Sequence, residues 1–147
     1  KGCNSNLLMP INDCPFTDFK SGIYRPYLAL KIINPLTNKS YKTFGLIDTG
    51  ADECAVPAFI ADELGHNLHA GIPKTITTGS GKASVYRHTT KFEIYHPTSG
   101  ELLYTIPDTP VDFVYNLPIV LLGVNNFLSR FVLTINYPNK SFSIKFS

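Results

Sequence analysis

Few residues of this chain are placed to do chemistry, and one short string concentrates them. Phe44-Gly45-Leu46-Ile47-Asp48-Thr49-Gly50-Ala51-Asp52 sets a carboxylate at the end of an apolar run. Withdrawing an ionised carboxylate from water is expensive unless it is paired or hydrogen-bonded, so Asp48 stands in an awkward place for charge. Thr49 brings a hydroxyl and a backbone donor. Gly50 reaches backbone angles closed to other residues and lets another chain approach closely. The competing reading is a plain Asp-Thr-Gly turn between strands.

Other chemistries find little support. No Gly-x-Ser-x-Gly string is present, which removes a nucleophile elbow. Gly81-Lys82 lacks the upstream Gly of a phosphate-binding loop, where Ile76 stands, and is followed by Ala83 instead of Ser or Thr. His66 and His69 are three apart, but no acidic or Cys partner completes a zinc set. They are expected as surface histidines after a helix, and neither a metal nor a cofactor is expected. Cys54 lies in an apolar run, where a free Cys behaves as a small buried hydrophobe and not as a nucleophile.

The chain has 147 residues, enough for one domain and a core. Hydrophobic residues make up 44% and charged residues 16%, so the composition is globular with a polar, weakly charged surface. A net charge of +2 without a Lys/Arg run argues against nucleic-acid binding. Apolar runs such as Leu117–Gly123 are far short of the roughly 20 residues of a membrane span. The chain starts at Lys1 and not at Met, which fits a trimmed or processed product; the lack of a leader thus carries no weight, and the compartment is not legible. Three cysteines are too few for a disulfide framework. A Cys3–Cys14 bridge and three free thiols both remain open.

The elements that must position Asp48 are mostly strands. Residues 1–22 are broken by Pro10, Pro15, Asn12 and Asp13 and read as an irregular N-terminal arm ahead of a domain over 23–147. Tyr24–Ile33 and Tyr41–Ile47 form a hairpin around Asn34–Lys39. After Asp48-Thr49-Gly50, Cys54–Val56 is a short strand. Pro57 opens a helix over Ala58–Leu64 that Gly65 stops. Ile72–Thr77 and Ala83–Tyr95 flank Gly79-Ser80-Gly81, and Leu102–Ile106 returns before Asp108-Thr109-Pro110 breaks the chain. Val111–Tyr115 and Ile119–Leu122 are strands, Val124–Ser129 a short helix, and Phe131–Ile135 with Ser141–Phe146 a closing hairpin. About nine strands with two short helices at most predict an all-β sandwich or barrel.

Taken in order, three of these segments resemble the retropepsin-like aspartic proteases. They are Leu46-Ile47-Asp48-Thr49-Gly50-Ala51-Asp52, the Gly79-Ser80-Gly81 hairpin about thirty residues on, and Val120-Leu121-Leu122-Gly123 with Phe127-Leu128 about seventy residues on. Order and spacing agree over residues 24–147.

The resemblance implies a closed or partly open acid-protease β-barrel acting as a homodimer on a polypeptide substrate. Asp48 would be the catalytic carboxylate, with Thr49 and Gly50 completing the catalytic loop. Peptide hydrolysis by this route needs two carboxylates about 3 Å apart sharing one proton: one activates water and the other polarises the scissile carbonyl. A second Asp-Thr/Ser-Gly is absent, since Asp108-Thr109-Pro110 has Pro in place of Gly. Asp48 would therefore meet Asp48 of a second copy on a twofold axis. Thr49 would hydrogen-bond across the interface. Ala51 and Asp52 would contact the substrate, and Thr78, Gly79, Ser80, Gly81 and Lys82 would form a flap closing over it. Leu121-Leu122-Gly123 would support the loop from behind. A catalytically inactive dimerisation or peptide-binding module with the same fold is the alternative.

Overall fold

A computed structural model describes residues 9–19, 21–79 and 81–147. Ser80 and residues 1–8, with Cys3, lie outside them, so neither the centre of the expected flap nor a Cys3–Cys14 bridge is described.

Among the described residues the chain forms ten strands and one short α-helix. The strands are β1 Ile11–Pro15, β2 Tyr27–Ile33, β3 Ser40–Ile47, β4 Ala55–Pro57, β5 Ile72–Thr78, β6 Gly81–Tyr95, β7 Leu102–Val114, β8 Val120–Leu122, β9 Val132–Asn136 and β10 Ser141–Lys145; α1 spans Ala58–Glu63. Strands β2, β3, β8, β4, β7 and β6 hydrogen-bond in that order, and β6 closes back onto β2 to make a six-stranded barrel. β5 extends outward from β6, and β1, β10 and β9 form a separate three-stranded sheet.

The period-2 pattern explains which faces turn inward. On β2, Leu28, Leu30 and Ile32 are buried, while Tyr27, Ala29 and Lys31 are part-exposed. β6 is long enough to pair with β2, β5 and β7, and β7 with β4 and β6, and Phe92, Ile94, Ile106 and Phe113 reach one continuous core with Leu122 and Phe127. Helix α1 buries Ile60 and Ala61, and Gly65 stops it just past its end with a left-handed φ of +74. The carbonyl of Leu64 at the helix end accepts hydrogen bonds from Asn34 Nδ2 at 3.0 Å and Thr37 Oγ1 at 2.8 Å, so the β2–β3 turn caps the helix.

Three sequence expectations change. Ile11–Pro15 is a strand paired with β10, and Met9, Ile11, Cys14 and Phe16 enter the core, so this part of the arm is not irregular. Asp108-Thr109-Pro110 does not break the chain. Asp108 takes a φ of +48 and β7 runs through it, with a register shift opposite Thr90–Phe92. Over 124–129 the expected helix is a turn leading into one 3-10 turn at Leu128–Arg130.

Candidate active site

β3 delivers Asp48. Gly45, Leu46 and Ile47 pair in parallel with Val120, Leu121 and Leu122, and the ladder continues one step as Asp48 N donates to Leu122 O at 3.1 Å. The loop then turns sharply. Gly50 N donates to Asp48 Oδ1 at 3.1 Å and Ala51 N to Asp48 O at 3.1 Å. The carboxylate thus accepts a bond from the Gly two residues on, an Asx turn that fixes its orientation. Asp48 is half-buried, and Thr49, Gly50 and Asp52 are exposed. Among the described residues the Thr49 hydroxyl makes no hydrogen bond.

β8 passes between β3 and β4 and holds the loop from behind. Val124 N donates to Ala51 O at 2.9 Å and Asn125 N to Asp52 O at 2.8 Å. Gly123 lies so close that a Cβ there would sit 2.5 Å from Glu53 O and 2.9 Å from Ala51 O, both backbone atoms. Gly45 is similarly constrained, since its Cβ would meet the Leu122 side chain at 2.8 Å. Two glycines therefore let β3, β8 and the loop approach within backbone contact.

Thr78, Gly79, Gly81 and Lys82 form a second group, at the tip of the β5–β6 hairpin. Thr78 pairs with Gly81, whose φ of +119 is open only to Gly, and Gly79, Gly81 and Lys82 are exposed. Ser80 lies outside the described residues. The structure thus keeps Asp48, Thr49, Gly50 and Ala51 together in one turn and carries the hairpin-tip residues on a different element.

A charged network not read from the sequence joins the two elements. Asp112 accepts from Arg87 Nε at 3.0 Å and pairs with Lys74 Nζ at 2.9 Å. Arg87 also lies 3.4 Å from Glu53, whose other oxygen accepts from Asn125 Nδ2 at 3.0 Å. The bond to Asp112 holds Arg87 still more firmly in its charged form. A signal was available: Val111-Asp112-Phe113 puts a charge inside an apolar strand, the same feature that singles out Asp48.

The other candidates resolve clearly. Cys54 is buried, and burial above all pushes its thiol up to about 12, so it is an inert core residue. His66 is not a simple surface histidine. Its ring stacks on His88 at 4.5 Å and packs on the edge of Phe113 at 5.5 Å, and its Nε2 is buried without a hydrogen-bond partner. Burial, then the neighbouring His88, lower it to about 4. Among the described residues no group of three His, Cys, Asp or Glu side chains could hold a metal ion, and no helix is long and apolar enough to cross a membrane.

No protein-family model matches this chain, and no curated protein does. Among solved structures it is similar to the crystal structure of a retropepsin-like aspartic protease from Rickettsia conorii. The two share 18% identity over 92% of this chain and 88% of that one, with a TM-score of 0.59. At that identity the likeness is one of fold: a retropepsin-like, all-β architecture built on one closed six-stranded barrel.

Proposed function

We propose that the chain is an aspartic endopeptidase active as a homodimer, with Asp48 of each copy forming one dyad. The observation that carries this reading is the Asp48 loop itself. A carboxylate oriented by Gly50 N ends a barrel strand braced by β8, beside an exposed Thr49 whose hydroxyl makes no hydrogen bond among the described residues. One such loop supplies one carboxylate, whereas hydrolysis by this route needs two. The retropepsin-like fold supports pairing the loop with a copy of itself.

In the dyad the two Asp48 side chains share a proton, because like charges about 3 Å apart cannot both ionise. The ionised carboxylate takes a proton from water as it attacks the scissile carbonyl. The protonated one donates to the carbonyl oxygen, and the tetrahedral intermediate collapses with proton transfer to the leaving amine. No covalent intermediate forms. The peptide lies extended, with Ala51 and Asp52 on the floor and the Thr78–Lys82 tip closing above it.

The test is cleavage of an unfolded protein over about pH 3–8, with and without an inhibitor of aspartic dyads. Inhibitable cleavage that disappears in Asp48→Asn is the expected result. A folded dimer without turnover at any of these pH values would contradict it and leave the peptide-binding module as the reading.

A further inference from the structure

Asp112 is 5% exposed, more deeply buried than any other charged side chain among the described residues. Its neighbours Val111 and Phe113 are fully buried, and a carboxylate in such a place must be paired to stay ionised. Its partners come from distinct elements: Lys74 from β5, at 2.9 Å, and Arg87 from β6, at 3.0 Å. Its own N–H donates to Cys54 O at 3.0 Å, just past the Asp48–Glu53 loop. Arg87 passes the connection to Glu53 at 3.4 Å, and Glu53 to Asn125 at 3.0 Å. One chain of charges therefore runs from the root of the β5–β6 hairpin through Asp112 to the loop and to the turn behind it. Two cations and two anions make it neutral as a set.

We propose that Asp112 is a positioning residue that locks the root of the β5–β6 hairpin to the Asp48–Glu53 loop, so that the hairpin bends only beyond Lys74. Its effect on catalysis rests on the peptidase reading above. The two ends of the network differ in strength. Lys74 has no second ion pair among the described residues, whereas Arg87 keeps Glu53 when Asp112 loses its charge. The hairpin strand β5 is thus the first part to come loose. Asp48 is held separately, by Leu122 O and by Gly50 N, so its chemistry does not pass through Asp112. A loosened root widens the spacing between hairpin and floor, which an extended peptide feels as weaker binding and not as a slower chemical step.

The test uses Asp112→Asn, with Lys74→Met as a milder second variant that removes only the hairpin side. Asp112→Asn is expected to raise KM about ten-fold while kcat stays within about two-fold, and Lys74→Met to raise KM in the same direction. The double variant is expected to be no worse than Asp112→Asn alone, because both remove one coupling. Amide hydrogen exchange supplies a readout independent of activity. Asp112→Asn should speed exchange about ten-fold on β5 and the facing half of β6, leaving the Val124 and Asn125 amides and β2 as slow as in the wild type. A fall in kcat at unchanged KM, additive single effects, unchanged β5 exchange, or equal speeding across β2, β8 and β5 would each overturn the proposal. A wild-type chain without any peptidase activity would defeat the peptidase reading alone, and hydrogen exchange would still decide the role of Asp112.

Discussion

At the scale of single residues, the site depends on close backbone approach as much as on its carboxylate. Gly123 makes this testable. A methyl group there would collide with the backbone of Glu53 and Ala51, which cannot swing aside as a flexible side chain would. Gly123→Ala is expected to cost about 1–3 kcal/mol in thermal or denaturant unfolding and to cut cleavage strongly by displacing the Asp48 loop. A variant with native stability and activity would contradict the bracing role of β8. The comparison of Asp48 with Asp112 shows what the sequence could and could not disclose at this scale. Asp48 follows a run of apolar residues and precedes Thr and Gly, so its setting can be read directly. Asp112 also stands in an apolar run and is buried more deeply than Asp48, but its solution is long-range: Lys74 and Arg87 stand far off in the chain and reach it only through strand pairing. Nothing local to Asp112 announces the cations.

At the scale of elements, most strands were legible because one face of each is buried and the side chains alternate. The misses have physical reasons. In β1 two exposed residues, Asn12 and Asp13, stand between buried Ile11 and Cys14, and the register shifts between those two, so the period of two is lost. In β7 the left-handed Asp108 looks like a chain break but is a bulge, and Thr90 Oγ1 donating to Thr109 O at 3.1 Å keeps the strand stitched across it. Another element-scale feature is the His66–His88 stack, which packs the segment after α1 against β6 and Phe113. His88 Nε2 also lies 2.8 Å from Leu68 O, tying the 3-10 turn Leu68–Ala70 to the same place. Because the folded pKa of His66 is about 4 against an ordinary 6.5, the unfolded chain binds more protons between these values. Stability is therefore expected to fall as pH drops from about 6.5 to about 4. The ring is only part-buried, so solvent screening holds the loss to about 1–2 kcal/mol. His66→Phe should flatten that part of the profile without loss near neutrality, since the ring shape is kept and an unpartnered buried nitrogen is removed. Identical melting-temperature profiles for the two proteins would contradict this.

At the scale of the whole molecule, a barrel built from a single chain provides one Asp-Thr-Gly loop, with Thr49 exposed and its hydroxyl without a hydrogen bond among the described residues. On the reading proposed here, a second copy completes the site. Sedimentation at working concentration is expected to show the mass of two chains. Thr49→Ala should shift the protein toward monomer and lower activity in a concentration-dependent way, because on that reading the Thr49 hydroxyl bonds across the twofold axis. A variant with the wild-type dissociation constant would remove Thr49 from the interface.

The most direct test is subunit mixing. Wild-type chains are exchanged with Asp48→Asn chains in varied ratio at constant total protein, and peptide cleavage is measured at each. If one dyad needs an ionisable Asp48 from both chains, activity follows the square of the wild-type fraction, and mixed dimers contribute nothing. Activity falling in simple proportion to the wild-type fraction would mean that each chain works alone, and would contradict the shared dyad.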